Sequence, residues 1–285
     1  FHSKVGILDG TAVARGSVPI SDQQVQDLTG GNAIRQLAFK KIGERNFNNA
    51  VFNTWGASGL AAVWAEENTR DSIFDAFRRK ETYATSGSRI KLRFFGGYNL
   101  EKILEEDDPI KYAYANASSM GSDILQNQNQ VPEFMVWAIR DLKRAPLDRV
   151  QIIKGWTELS GKPHEKVYDV ACSDGRKANI KTGLCKDSRA KVNLSNCKIS
   201  KNFGADELKV VWKDPDFNPN LKAFYYVRVL ENPTCRWSTW DAIKSGEKPR
   251  GDLPSTIQER AWTSPIWYVP DNDGIEVRNI LPDDV

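Results

Sequence analysis

The hydrophobic pattern of this chain changes character near residue 89. Before that point, apolar residues come in short blocks separated by polar stretches. Lys4–Leu8 reads as a short strand closed by the turn dipeptide Asp9-Gly10. Residues 12–54 are polar and irregular, with a helix predicted near Asn32–Arg45 from Ile34, Leu37, Ala38 and Ile42 at helical spacing. So long an excursion reads as an insertion or a lid. Gly59–Ala65 is one continuous apolar run, which predicts a strand buried on both faces. Asn68 or Thr69 then caps a helix to about Arg79, with Ile73, Phe74 and Phe77 as its buried stripe. Thr82–Thr85 is a second strand, so strand, helix and strand predict a βαβ unit beside a parallel sheet.

From Arg89 onward the period is two. Ile90, Leu92 and Phe94 alternate with Lys91, Arg93 and Phe95. Similar runs recur at Glu133–Arg140, Arg149–Lys154, Leu208–Lys213, Ala223–Glu231 and Ser264–Val269. Short alternating strands divided by Pro, Gly and Asp turns predict an antiparallel β-sandwich. The expected fold class is therefore α/β plus all-β, with an α/β piece over residues 1–88 and a sandwich over 89–285. No repeat of fixed period is present.

Composition narrows the function classes. With 285 residues, 27% charged and 40% hydrophobic, the chain is an ordinary globular one. Its 40 Lys+Arg against 37 Asp+Glu give no basic stripe, which argues against a nucleic-acid partner. No apolar run approaches the roughly 18 residues of a membrane span. The start, Phe1-His2-Ser3-Lys4, has no initiator Met and no signal-peptide pattern, so the chain is expected to begin inside a longer product. Cys172, Cys185, Cys197 and Cys235 show no C-x-x-C spacing and have only His164 nearby, which disfavours zinc. Their even number in a loop-rich third points to disulfides, Cys172–Cys185 first, and so to an exported protein, periplasmic or extracellular. Asn116-Ala117-Ser118 and Asn193-Leu194-Ser195 are glycosylation sequons only for a eukaryotic secretory host.

Long motifs carry a resemblance. The segments Ala57–Arg70, Arg79–Gly87, Arg93–Tyr98, Leu147–Trp156, Trp212–Pro219, Ala223–Glu231 and Gln258–Tyr268 resemble, in order, the large bacterial family of domain-of-unknown-function proteins numbered 3604. That family is similar to the PHP (polymerase and histidinol phosphatase) metallohydrolases, including the carbaryl-hydrolase-like group. The resemblance implies that residues 1–88 are the C-terminal portion of a distorted (β/α) barrel, with 12–54 inserted, followed by the sandwich. It also implies a divalent metal (Zn, Mn or Fe), a small-molecule substrate and a longer protein whose N-terminal half, or another chain, covers the barrel edge. The family's Asp-Thr-His element falls on Ala12 and Ala14, or with a deletion on Asp9 and Thr11, so no imidazole stands there. That departure weakens a metal site, because the protein sets coordination number and geometry.

Candidate chemistry follows from these positions. Asp9, at a strand end, is the one metal-ligand candidate; its plain alternative is a turn residue. Glu66, Glu67, Asn68 and Arg70, at a strand-to-helix junction, suit a hard cation, a positioned water or an anion; helix capping and surface pairing are the alternative. Thr85, Ser86 and Arg89 take the corresponding end of the next strand. Asp214-Pro215-Asp216-Phe217-Asn218-Pro219-Asn220 begins like a calcium loop, but Pro219 and Tyr225 stand where Gly and Glu are required, which leaves a polar turn. His164 is expected on a surface loop. The nine Trp, with Trp237, Trp240, Trp262 and Trp267 among them, suit either packing or a sugar-stacking face. The functional expectation is part of a metal-dependent hydrolase of ester, phosphoester or carbamate bonds; a non-catalytic binding or structural subunit is the alternative.

Overall fold

Period-two alternation after residue 89 produces two antiparallel sheets packed face to face. A computed structural model describes residues 16–49, 59–128 and 130–271. The predicted strand Lys4–Leu8, the metal candidate Asp9 and the positions Thr11, Ala12 and Ala14 lie outside the described residues. The smaller sheet runs in the order Glu207–Lys213, Glu133–Ile139, Lys91–Gly97 and Ser118–Ser119. The larger runs Pro163–Cys172, Leu147–Thr157, Ala223–Glu231, Arg260–Thr263, Thr82–Thr85 and Leu60–Val63. Ile266–Val269 also joins Ala223–Glu231, and pairs in parallel with Asp123–Leu125.

Alternate residues of both sheets meet in one core. Leu92, Phe94, Phe134 and Val136 from the small sheet face Val150, Ile152, Tyr225, Val227 and Val229 from the large one. All nine are fully buried, and each such side chain contributes roughly 1.5–3 kcal/mol through burial. A second cluster lies on the outer side of the small sheet, where Phe95 and Met135 pack with Leu100, Ile103 and Ala113 of the turn and helix over residues 100–116. Thus the alternate face of the strand Lys91–Gly97 is covered at its Phe95 end and open at its Lys91 end.

The first 88 residues depart from expectation in four ways. The helix predicted over Asn32–Arg45 is only Ala33–Gln36, capped by Asn32; the hairpin Phe39–Ile42 with Arg45–Asn48 follows it. Gly43, at φ +60°, makes that turn, and Ile34 and Leu37 point to solvent. The predicted βαβ unit is instead an antiparallel pair, with Val63 opposite Thr82 and Leu60 opposite Thr85. Trp64 donates its amide to Glu81 O at 3.1 Å, so the helix Arg70–Arg78 closes the end of a long hairpin rather than crossing the sheet. Leu60–Val63 is an edge strand with Leu60 exposed, not a strand buried on both faces. A short apolar run cannot by itself distinguish these two positions. Finally, the helix starts at Thr69, one of the two caps expected, but Phe74 and Phe77 are more than half exposed and only Ala76 is buried. No PHP-like barrel is present among the described residues, and strands from both sides of residue 88 share the large sheet.

The excursion over 16–49 docks on the region 237–252. Ser17 Oγ donates to Asp241 Oδ2 at 2.8 Å, Arg250 Nη1 to Gly16 O at 2.7 Å, and Arg250 stacks 4.9 Å over the buried Phe47 ring. Two disulfides are formed. Cys172–Cys185 closes the loop after the edge strand Pro163–Cys172, and Cys197–Cys235 ties a long loop to the start of the helix Trp237–Lys244. Such pairs belong to an oxidising compartment and fit an exported protein. Among the described residues no helix is long and apolar enough to cross a membrane.

Candidate functional site

The antiparallel arrangement separates the two groups of sequence-predicted site residues. Glu66, Glu67, Asn68 and Arg70 are exposed at one end of the hairpin, where Glu67 N donates to Ser72 Oγ at 3.2 Å and Ser72 N to the Thr69 cap at 3.3 Å. Thr85, Ser86 and Arg89 lie at the opposite end, because the strand that carries Thr85 runs back rather than alongside. Thr85 is buried and its hydroxyl donates to Ser88 O at 2.6 Å; Arg89 is exposed and donates its amide to Asp141 Oδ2 at 2.9 Å. These bonds shape a turn. His164 is not on a loop but on the strand Pro163–Cys172, half-buried, stacked 5.1 Å from Trp156, with Nε2 2.6 Å from Glu158 Oε1.

The open end of the small sheet forms a cleft of about 220 Å³. Its walls are Trp64, Trp137, Ile110 and Ile139, and its cations are Lys91 and Arg93. Strand alternation places Lys91 and Arg93 on this face, and Arg93 and Trp137 are direct partners across the sheet. The Trp64 indole is fixed by its own N–H, which donates to Leu92 O at 2.8 Å. Arg93 lies 3.4 Å over the Trp64 ring, contacts the Tyr114 hydroxyl, and has the buried carboxylate of Glu81 at 3.9 Å. Tyr114 is pushed up to about 12 by burial and by its bond to Glu81, so it remains a neutral hydroxyl. The cleft thus offers flat apolar walls and a pre-oriented guanidinium, a combination that takes an organic anion with an aromatic or apolar body. Glu66 lies two residues beyond Trp64, within about 7 Å of chain from it.

A second polar group is sealed at the other end. Glu231 ends the strand Ala223–Glu231 and is fully buried, with the Ser88 hydroxyl as its polar neighbour. Burial pushes it up to about 8; the nearby Glu259 carboxylate adds to this, and the Ser88 hydroxyl opposes it. It is therefore largely protonated at neutral pH. Beside it, Asp148 is buried and bound by Arg176 at 2.6 Å, by Arg149 and by Gln258. Asp169 accepts from Gln151 Nε2 and from the Cys185 amide, both at 2.6 Å. Charged residues at this end are committed to holding loops.

The third group spans the two sheets. Lys154 and Asp214 are 4% and 0% exposed at the side chain, with Nζ 2.5 Å from Oδ2. Tyr225 donates to the same Oδ2 at 2.8 Å, the Asp216 amide donates to Asp214 Oδ1 at 2.9 Å, and Lys154 Nζ donates to Asp216 O at 2.7 Å. Burial and the Asp214 carboxylate raise Tyr225 far above an ordinary phenol, so it stays a donor. The sequence does place the turn at Asp214–Asn220, as expected; it does not reveal this anchor, nor Glu231, nor the Trp64–Arg93–Trp137 cleft. The available signal for the anchor was a lysine at an inward phase, between Ile152 and Trp156.

No group of three or more His, Cys, Asp or Glu able to hold a metal ion occurs among the described residues, and all four cysteines are in disulfides. The described side chains therefore do not fit the metal centre that the family resemblance implies. What they define is a disulfide-stapled antiparallel β-sandwich with a cationic, tryptophan-walled cleft on one outer face. The chain belongs to the family described as Protein of unknown function (DUF3604), whose family model matches residues 22–270. No curated protein and no solved structure matches it.

Proposed function

We propose that this chain is the substrate-holding sandwich of a PHP-like metal-dependent hydrolase of ester, phosphoester or carbamate bonds, with metal chemistry supplied from outside its described residues. The observation that carries this reading is the cleft: Arg93 stacked on Trp64 opposite Trp137 offers an anion a fixed cation beside two flat apolar surfaces. In this role Arg93 binds and orients the acidic end of a substrate, the indoles hold its apolar leaving group, and Glu66, Glu67, Asn68 and Arg70 line the approach. The exposed edge strand Leu60–Val63, with the half-exposed Phe74 and Phe77, is where the catalytic part would lie against the sandwich. A second reading, a non-catalytic binding subunit, is favoured by the commitment of buried Asp148, Asp169 and Asp214 to structural partners.

Titration with phenyl phosphate, followed by tryptophan fluorescence, tests the cleft. Saturable quenching that is lost in R93M supports it; no quenching, or equal quenching in R93M, rejects it. Elemental analysis of the natural full-length protein separates the two readings. Near-stoichiometric Zn, Mn or Fe supports the hydrolase, and a folded metal-free protein leaves the binding subunit.

A further inference from the structure

The Lys154–Asp214 pair is unlike the other ion pairs of the sandwich. Most of those are partly exposed, whereas this one is closed off by Trp156 and Tyr225, whose ring centres lie 5.1 and 5.9 Å from Nζ. Its members also come from different sheets: Lys154 from the strand Leu147–Thr157, and Asp214 from the turn directly after Glu207–Lys213. Nζ and Oδ2 are thus held in direct contact at 2.5 Å, with the Asp216 amide already on the other carboxyl oxygen. A lysine nitrogen held against a carboxyl group, beside an N–H placed for a developing oxyanion, has the arrangement of an acyl-transfer site.

We propose that Lys154 and Asp214 condense to an amide that covalently joins the two sheets. The ammonium first gives a proton to Oδ2. The freed Nζ lone pair then forms a bond to Cγ, and the carbonyl electron pair moves onto Oδ1. The Asp216 amide, 2.9 Å from Oδ1, meets that oxyanion. When the pair returns, the Cγ–Oδ2 bond breaks and Oδ2 leaves as water, carrying a second proton that Nζ gives up. Tyr225, hydrogen-bonded to Oδ2 at 2.8 Å, assists that departure. The ammonium and carboxylate become one amide and one water; nothing is oxidised or reduced and no co-reactant is consumed. A space of about 20 Å³ bounded by Lys154, Trp156, Asp216 and Tyr225 is large enough to receive that single water. The proposal is independent of what the cleft binds.

Mass spectrometry of the intact, natively folded chain tests this directly. The expected mass is lower by one water than the sequence mass corrected for the two disulfides. Digestion should release a branched peptide joining Lys154 to Asp214, with no cleavage by trypsin after Lys154. K154R keeps a cation but presents a guanidinium that does not acylate, and should regain the full mass; Y225F should form the product more slowly. Full mass with ordinary Lys154 and Asp214 peptides in folded wild-type protein overturns the proposal. So does a water deficit that maps instead to an Asp-Gly succinimide such as Asp174-Gly175. The wild-type peptide map decides the matter even where a variant fails to fold.

Discussion

Replacing Glu231 by Gln should make the protein more stable at alkaline pH and remove a slope from its pH–stability curve. In the folded chain the carboxyl is buried and raised from the usual 4.5 to about 8, whereas in the unfolded chain it titrates normally. Below pH 4.5 both states are protonated, and the full stability is present. Between those values unfolding releases a proton, so stability falls as pH rises and is lost progressively through about pH 8. At about 1.4 kcal/mol per pH unit, the whole interval is worth at most about 5 kcal/mol, and about 3 kcal/mol of that is lost by neutral pH. The neutral amide of E231Q cannot ionise and so escapes this loss. Its own cost, a buried NH₂ beside Ser88, is the same at every pH and leaves the slope untouched. Urea unfolding of wild type and E231Q from about pH 5 to about pH 8.5 gives the difference curve, in which other titrating groups cancel. A difference that does not grow toward alkaline pH would refute a neutral Glu231 in the folded state.

Two further outcomes follow from local geometry. Gly121 has φ +90°, and a Cβ there would lie 2.4 Å from Lys80 O, so G121A should lose roughly 2–4 kcal/mol from strain plus overpacking, read by urea midpoint. Equal midpoints would contradict the close approach of these two segments. Opening Cys197–Cys235, which spans 38 residues, by a double Ala substitution should cost about 4 kcal/mol, against about 3 kcal/mol for Cys172–Cys185 with its 13. Thermal unfolding with and without reductant measures both; indifference to reductant would show that the bonds are absent in solution.

The sequence by itself determined most of the sandwich strands, though not Pro163–Cys172 or Arg260–Thr263. Alternation places Leu92, Phe94, Val150, Ile152, Val227 and Val229 on one face, and period two is a property of the extended backbone that needs no partner to be read. Local rules likewise narrowed the helix cap to Asn68 or Thr69 and marked the turn at Asp214 and the short Cys172–Cys185 loop, each a matter of a few neighbouring residues. What only the tertiary structure decided is pairing direction and company. The run Gly59–Ala65 is equally apolar whether it lies centrally or at an edge, and a helix between two strands permits a parallel crossover or a closed hairpin. The Trp64–Glu81 bond chose the hairpin, and so sent Glu66–Arg70 and Thr85–Arg89 to opposite ends. Arg93 and Trp137 are 44 positions apart in sequence, and Lys154 lies in one sheet while Asp214 follows a strand of the other. A cleft and a buried pair of this kind exist only once register brings distant strands together, because one-dimensional periodicity assigns a face to each residue and never a neighbour.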